Sequence, residues 1–201
     1  MELVIASNNK NKIKEIHQIM GNFFDKIYSL SDLNIDIDVE ETGTTFFENA
    51  LIKAKAISKI TNMVTLSDDS GLVVDALNGA PGVYSARYAG DDCNQANNNA
   101  LLLKNMKNKK NRKAYFVCHL VMYYPDGHYL DCEGKVCGKI LDKEVGECGF
   151  GYDPLFYCNE LGKSFGIAKS IEKNEFSHRG RALMSLKKLF LEQNQHIKNK
   201  I

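Results

Sequence analysis

Two rhythms alternate along the chain. Short apolar runs such as ELVIA, MVTL and GLVVDAL have the length and β-branched content of buried strands, whereas longer stretches repeat apolar residues at helical spacing. ELVIA gives way to the polar loop SNNKNK, after which Ile13, Ile16, Ile19 and Met20 recur with a helical period. A strand, loop and helix in that order would aim loop N–H groups and the positive helix end at one spot. Thr45 and Glu48 form an S/T-x-x-E capping box, and Phe47, Ala50, Leu51, Ala54 and Ile57 make the apolar stripe of a second helix, with Lys53 on its polar side. Residues 94–106 read as a third helix. The last opens at Ser177 as N-cap and carries Ala182, Leu183, Leu186 and Phe190 on one face. AYFVCHLVMYY predicts a central strand covered on both sides, and PDG turns it into a partner strand, HYLDCEGKV. Strands and helices mix without a strict βαβ rhythm, a repeat or a clean linker, which predicts one α/β domain over residues 1–201.

Composition narrows this little. With 44% hydrophobic and 25% charged residues the chain is an ordinary globular one, and a net charge of +1 gives no global pull toward nucleic acid or membrane. No apolar run approaches the roughly 20 residues that cross a bilayer, and the opening MELVIASNNK has no basic segment ahead of a long apolar one. A cytoplasmic protein is the simplest expectation. The six cysteines contain no C-x-x-C pair, so reduced, buried or half-buried thiols are expected rather than disulfides or zinc.

Several polar clusters interrupt the apolar pattern. SDDSG places Asp68 and Asp69 after a strand, where side chains project into a crevice and adjacent carboxylates stay ionised only beside a cation. The same residues also suit a simple turn. EETG, residues 40–43, adds carboxylates ahead of the capped helix, where complementing the helix dipole is a sufficient role. SNNKNK has phosphate-cradle chemistry without the glycines of a P-loop. Lys173, His178 and Arg179 gather cations at a helix start, which the dipole disfavours, and an unfavourable local choice hints at function. FGYDPLF, residues 150–156, combines aromatics with Asp153 and Pro154 in a way that suits neither a core strand nor a plain turn; a flat, partly polar ligand such as a nucleobase would fit it. The basic run from Lys104 to Lys113 lacks stacking groups and reads as a solvated connector.

Together, ASNNKNK, EETGTTFFENALIKAKA, SDDSGLVVDALNGAPGVYSARYAG, GFGYDPLF and EKNEFSHRGRAL resemble, in order and spacing, the inosine triphosphate pyrophosphatase family, from about residue 3 to about residue 190. The resemblance implies a mixed α/β fold of two lobes around a long central cleft, usually a homodimer. It also implies magnesium-dependent hydrolysis of non-standard purine nucleoside triphosphates (ITP, dITP, XTP) to the monophosphate and pyrophosphate, with no nucleic-acid or membrane partner. It assigns Ser7, Asn9 and Lys12, within a loop that also offers Asn8, Lys10 and Asn11, to the triphosphate, with Lys53 reaching in from the capped helix. Glu41, in preference to Glu40, and Asp69 would bind magnesium. Asp69 would be the general base, supported by Asp68 and Ser70. Phe150 would stack on the base, with Gly151, Tyr152 and Asp153 around it, and Lys173, His178 and Arg179 would read the purine. The chain departs from its relatives at Asn8, where a glycine is common, and at Ile167, where Glu is common.

A triphosphate brings about four negative charges that lysines and a metal must offset before water approaches, which agrees with these residue types. Three other readings use the same features: a nucleotide sensor without turnover, a pyrophosphatase for pyrimidine or methylated nucleotides, and an RNA-binding module built on the basic connector. The intact carboxylates weigh against the first and the Ser-His-Arg-Gly segment against the second.

Overall fold

The computed structural model describes residues 1–198; the last three residues of the expected domain lie outside the described residues. The order is β1 (Glu2–Ile5), α1 (Lys10–Met20), β2 (Lys26–Ser29), α2 (Phe46–Thr61), β3 (Val64–Val74), α3 (Gln95–Met106), β4 (Lys113–Tyr123), β5 (Tyr129–Ile140), β6 (Phe156–Cys158), β7 (Lys163–Ser164), α4 (Ser170–Phe176) and α5 (His178–Lys198). The strands form one mixed sheet in the order β2-β1-β3-β4-β5-β6-β7. Strand β1 runs parallel to β2 and β3, and β6 runs antiparallel to β5 and β7. The α/β expectation therefore stands.

The chain divides into two compact units. The first comprises Met1–Asp69, Cys118–Gly134 and the chain from Arg179; the second comprises Ser70–Val117 and Lys135–His178. In the first unit β1 is buried on both faces because its alternate residues enter different clusters. Leu3 and Ile5 pack with Ile16 and Met20 of α1, Leu120 and Met122 of β4, and Leu183, Leu186 and Phe190 of α5. Val4 and Ala6 pack with Leu30 and with Ile57 of α2. The second unit has its own core, in which Leu102 and Met106 of α3 meet Phe116, Val136, Ile140, Phe156 and Phe165.

Three expectations are corrected. SDDSG is neither a turn nor a break between two strands. Asp68, Asp69 and Ser70 lie inside the 11-residue β3, because buried cations supply what would otherwise be missing from a strand interior. The two-sided cover of β4 holds at Leu120, Val121 and Met122, but Tyr115 is only half-buried, with the Lys135 ammonium 3.5 Å above its ring. All six thiols are free, yet Cys93, Cys137 and Cys148 are exposed rather than buried. Among the described residues no helix is long and apolar enough to cross a membrane.

Candidate active site

The first unit carries a charged centre. Because β1 and β3 are parallel and in register at Ile5 and Leu66, the residues just past those positions emerge side by side at the carboxyl end of β1, the usual place for a site in such a sheet. Past β1, Ser7 Oγ accepts the Asn9 N–H (3.1 Å), and the Asn9 side chain caps α1 by accepting from Asn11 N and Lys12 N. Ser7 and Asn9 thus order the loop while keeping the hydroxyl proton and the amide N–H groups as donors. Asn8, Lys10 and Asn11 are exposed beside them. Lys12 turns inward, with Nζ 3.1 Å from Asp68 Oδ1.

Asp68 is fully buried and held from a second side by Arg179, whose Nε and Nη2 donate to Asp68 Oδ2 at 3.1 and 3.0 Å. Arg179 Nη1 donates to Glu15 Oε2 on α1 at 2.5 Å. Burial by itself would raise the Asp68 pKa, but the Lys12, Arg179 and Lys53 charges and the Arg179 hydrogen bonds outweigh it and hold the carboxyl well below the ordinary carboxylate range. The Cys118 thiol, 3.8 Å from Asp68 Oδ2, is pushed well up by burial and then by the Asp68 charge.

Asp69, the next residue, behaves oppositely. Its burial, joined by the Glu41 charge, raises its pKa against the lowering pull of Lys53, Lys12 and the Asn49 hydrogen bond. Asn49 Nδ2 donates to Asp69 Oδ2 (3.1 Å), while its own Oδ1 accepts the Gly43 N–H (2.8 Å). A Cβ on Gly43 would lie 2.6 Å from Asn49 Oδ1, so the glycine of EETG allows this close seating. The same segment brings Glu41 to Lys53, whose Nζ lies 2.6 Å from Glu41 Oε1 and 4.0 Å from Asp69 Oδ1. Glu40 is exposed. Burial lowers the Lys53 pKa, but the Asp69, Glu41 and Asp68 charges raise it overall, so the ammonium persists between two carboxylates. The expected capping box is present, with Glu48 Oε2 accepting Thr45 N (3.0 Å) and Thr45 Oγ1 accepting Glu48 N (3.2 Å).

The second unit, which begins at Ser70, carries an aromatic platform. Asp153, only 2% exposed, accepts at Oδ2 from the Phe150 N–H (2.8 Å) and from Lys173 Nζ (2.8 Å). Lys173 Nζ also sits 4.5 Å from the Phe150 ring centroid. Gly149 has φ +79°, and a Cβ there would fall 2.1 Å from Asp153 Oδ2, so only glycine fits. The Tyr152 hydroxyl donates to Ser85 O (2.8 Å), and burial pushes its pKa far above the usual phenol value. The His178 ring stacks on Phe116 (4.8 Å, 13°). Asp153 therefore braces the loop that carries Phe150.

The structure places the sequence-predicted residues in two sets. Lys12, Glu41, Lys53, Asp68 and Asp69 converge in the first unit; Phe150, Asp153 and Lys173 converge in the second. The Arg179 guanidinium, expected at the base, bonds Asp68 and Glu15 within the first unit. Asn49, Glu15 and Cys118 were not singled out from sequence. Asn49 alone left a signal there, as a polar residue within the apolar stripe of the capped helix; Glu15 and Cys118 left none.

Comparison with known proteins agrees across the chain. The profile of the Ham1 family matches residues 3–189. The dITP/XTP pyrophosphatase of Clostridium perfringens is 49% identical over 194 residues, covering 92% of this chain and 95% of that protein. The dITP/XTP pyrophosphatase of Staphylococcus aureus strain MW2 is 43% identical, covering 98% and 99%. Among solved structures, the S. aureus Ham1 protein superposes with a TM-score of 0.86 at 44% identity over 96% of this chain and all of that one. A HAM1 protein from Coxiella burnetii gives 0.87 at 36% identity over 96% and 99%.

Proposed function

This chain belongs to the Ham1 family, and from that membership and its carboxylate centre we propose that it hydrolyses dITP, ITP and XTP to the nucleoside monophosphate and pyrophosphate. The observation that carries the reading is the different seating of two adjacent, buried carboxylates: Asp68 is held by Lys12 and Arg179 at about 3 Å, whereas Lys53 lies 4.0 Å from Asp69. Asp68 stays an anion under its cations, while Asp69 is made more basic than an ordinary carboxylate. Titratable neighbours pushed apart in this way mark the division between a fixed charge and a proton acceptor.

In this reading the first set of residues acts on the triphosphate and the second recognises the base. Lys12 and Lys53, with N–H donors of the Ser7–Asn9 loop and α1 start, hold phosphate oxygens. Asp68, anchored by Arg179, aims Lys12. Asp69 takes the proton of the attacking water as the bond between the α and β phosphates breaks and pyrophosphate leaves. Phe150 stacks on the base, and Lys173 and His178 donate to the 6-keto oxygen that hypoxanthine and xanthine share, a position where adenine presents a donor.

The donor set also suits magnesium. Glu41 and Asp69 are hard oxygen ligands that already share one cation, the Lys53 ammonium. Glu41 and Asp69 would hold the metal, which when bound offsets phosphate charge and acidifies water. A homodimer is proposed on the resemblance, and a cytoplasmic location on the apolar pattern of the sequence. The GVYSARYAG segment offers only Tyr84 as a large exposed apolar side chain (59%) for an interface.

The test is a panel of nucleoside triphosphates with and without magnesium, read by separate assays for pyrophosphate and phosphate. ITP, dITP and XTP should release pyrophosphate only with the metal, and ATP and GTP far more slowly. Release of single phosphates, or equal turnover of ATP, contradicts the proposal.

A further inference from the structure

Helix α3 grips the backbone that carries Phe150. Its first residue, Gln95, and Asn99, one turn later, lie on the same side of the helix. Gln95 Oε1 accepts the N–H of Gly151 (3.0 Å), and Asn99 Nδ2 donates to the carbonyl of the same Gly151 (3.2 Å). Both polar groups of the residue after Phe150 are therefore held from one helix, while the N–H of Phe150 itself goes to Asp153 (2.8 Å). Gly151 has φ +60°, a backbone setting that glycine adopts without strain and is equally able to leave. The loop has no regular ladder across Phe150, so these side-chain bonds set where its ring points.

The Asn99 amide has a fixed polarity. Nδ2 faces two acceptors, Gly151 O and Glu144 Oε1 (2.7 Å), so the reversed amide would set oxygen against oxygen. Its Oδ1 is buried with no hydrogen-bond partner among the described residues, which is a cost to folding. An amide kept despite such a cost is explained by what its nitrogen holds.

We infer that Gln95 and Asn99 are positioning residues for the base platform, acting on substrate choice through Gly151 and Phe150. The inference rests on the nucleotide reading above. Both residues act within the second unit, where their hydrogen bonds go to Glu144 and Gly151.

Two arms test it. The first is amide hydrogen exchange at residues 149–155 in the nucleotide-free protein, which decides the clamp whatever the turnover. Gln95→Ala should speed exchange at Gly151 about fivefold to tenfold, the scale of one hydrogen bond, while leaving exchange in β4 unchanged. The second is steady-state kinetics with dITP against ribose 5-triphosphate, which has no base. Gln95→Ala and Asn99→Ala should each raise the dITP KM about fivefold to tenfold with kcat nearly constant, and leave the base-free substrate unaffected. Substitution chemistry sharpens the result. Gln95→Glu keeps an acceptor and should restore most of the dITP KM, whereas Asn99→Asp sets a carboxylate against two acceptors and should not. Unchanged exchange at Gly151 in Gln95→Ala, or an equal loss on both substrates, overturns the inference.

Discussion

The two regions of this molecule each bury an aspartate, and they use it differently. Around Asp153 the carboxylate pairs with Lys173, and the result is a braced loop under Phe150. Around Asp68 and Asp69 the cations are shared instead: Arg179 bridges Asp68 and Glu15, and Lys53 lies between Glu41 and Asp69. A carboxylate paired within its own loop suits recognition, whereas adjacent buried carboxylates that share cations and are tuned apart suit chemistry. The difference turns on partners: Asp68 and Asp153 each have a cation at about 3 Å, whereas the Lys53 ammonium lies 4.0 Å from Asp69.

The comparison breaks first at Asp69. Asp69→Asn keeps the shape and the Asn49 contact side but removes the proton acceptor, so kcat should fall by ~10²–10⁴-fold, with an unchanged circular dichroism spectrum. A variant that keeps half the wild-type kcat would move the base elsewhere. Next comes Arg179→Ala, which strands Asp68 and Glu15 without their shared cation. Breaking a buried pair typically costs about 3–5 kcal/mol, measured by urea unfolding. In the protein that remains folded, kcat/KM should drop by the same factor for ITP and ATP, because Arg179 is tied to the carboxylates. A selective loss on ITP would return Arg179 to the base. The smallest of the three effects belongs to the second unit. Phe150→Ala should raise the ITP KM by ~10-fold, the scale of base–aromatic stacking, with little change in kcat. A large loss of kcat would mean that the platform takes part in the chemistry.

Much of this division was legible in the sequence, for a physical reason. Helices α1 and α2 declared themselves through period and caps, and the charged residues stood out because each interrupted an apolar pattern. What stayed hidden depends on long-range partners. SDDSG carried turn residues and was read as an alternative turn, since nothing local shows that Arg179, 111 residues away, supplies the charge that lets Asp68 sit inside a strand. The Arg179 contact to Glu15 spans 164 residues and left no trace in either segment. The short helix α4 escaped for a different reason: seven residues with Ile171 exposed give no apolar stripe to read. Asn99 lay in a run of asparagines that looked merely polar, and only the fold places it beneath Gly151.

The central claim, that two neighbouring aspartates are tuned in opposite directions, can be measured directly by carboxyl ¹³C NMR on the metal-free protein labelled at aspartate, with Asp68→Asn and Asp69→Asn spectra for assignment. From an ordinary value of 3.8, Asp69 should titrate higher and Asp68 lower. The two then act oppositely on stability. The Asp68 contribution is complete above about 3.8 and is lost as pH falls toward its depressed value, whereas ionised Asp69 is a cost that disappears as pH falls through its raised one. Resolved transitions in that order are the predicted result. Coincident transitions, or Asp68 titrating above Asp69, would contradict the assignment of one as fixed anion and the other as base.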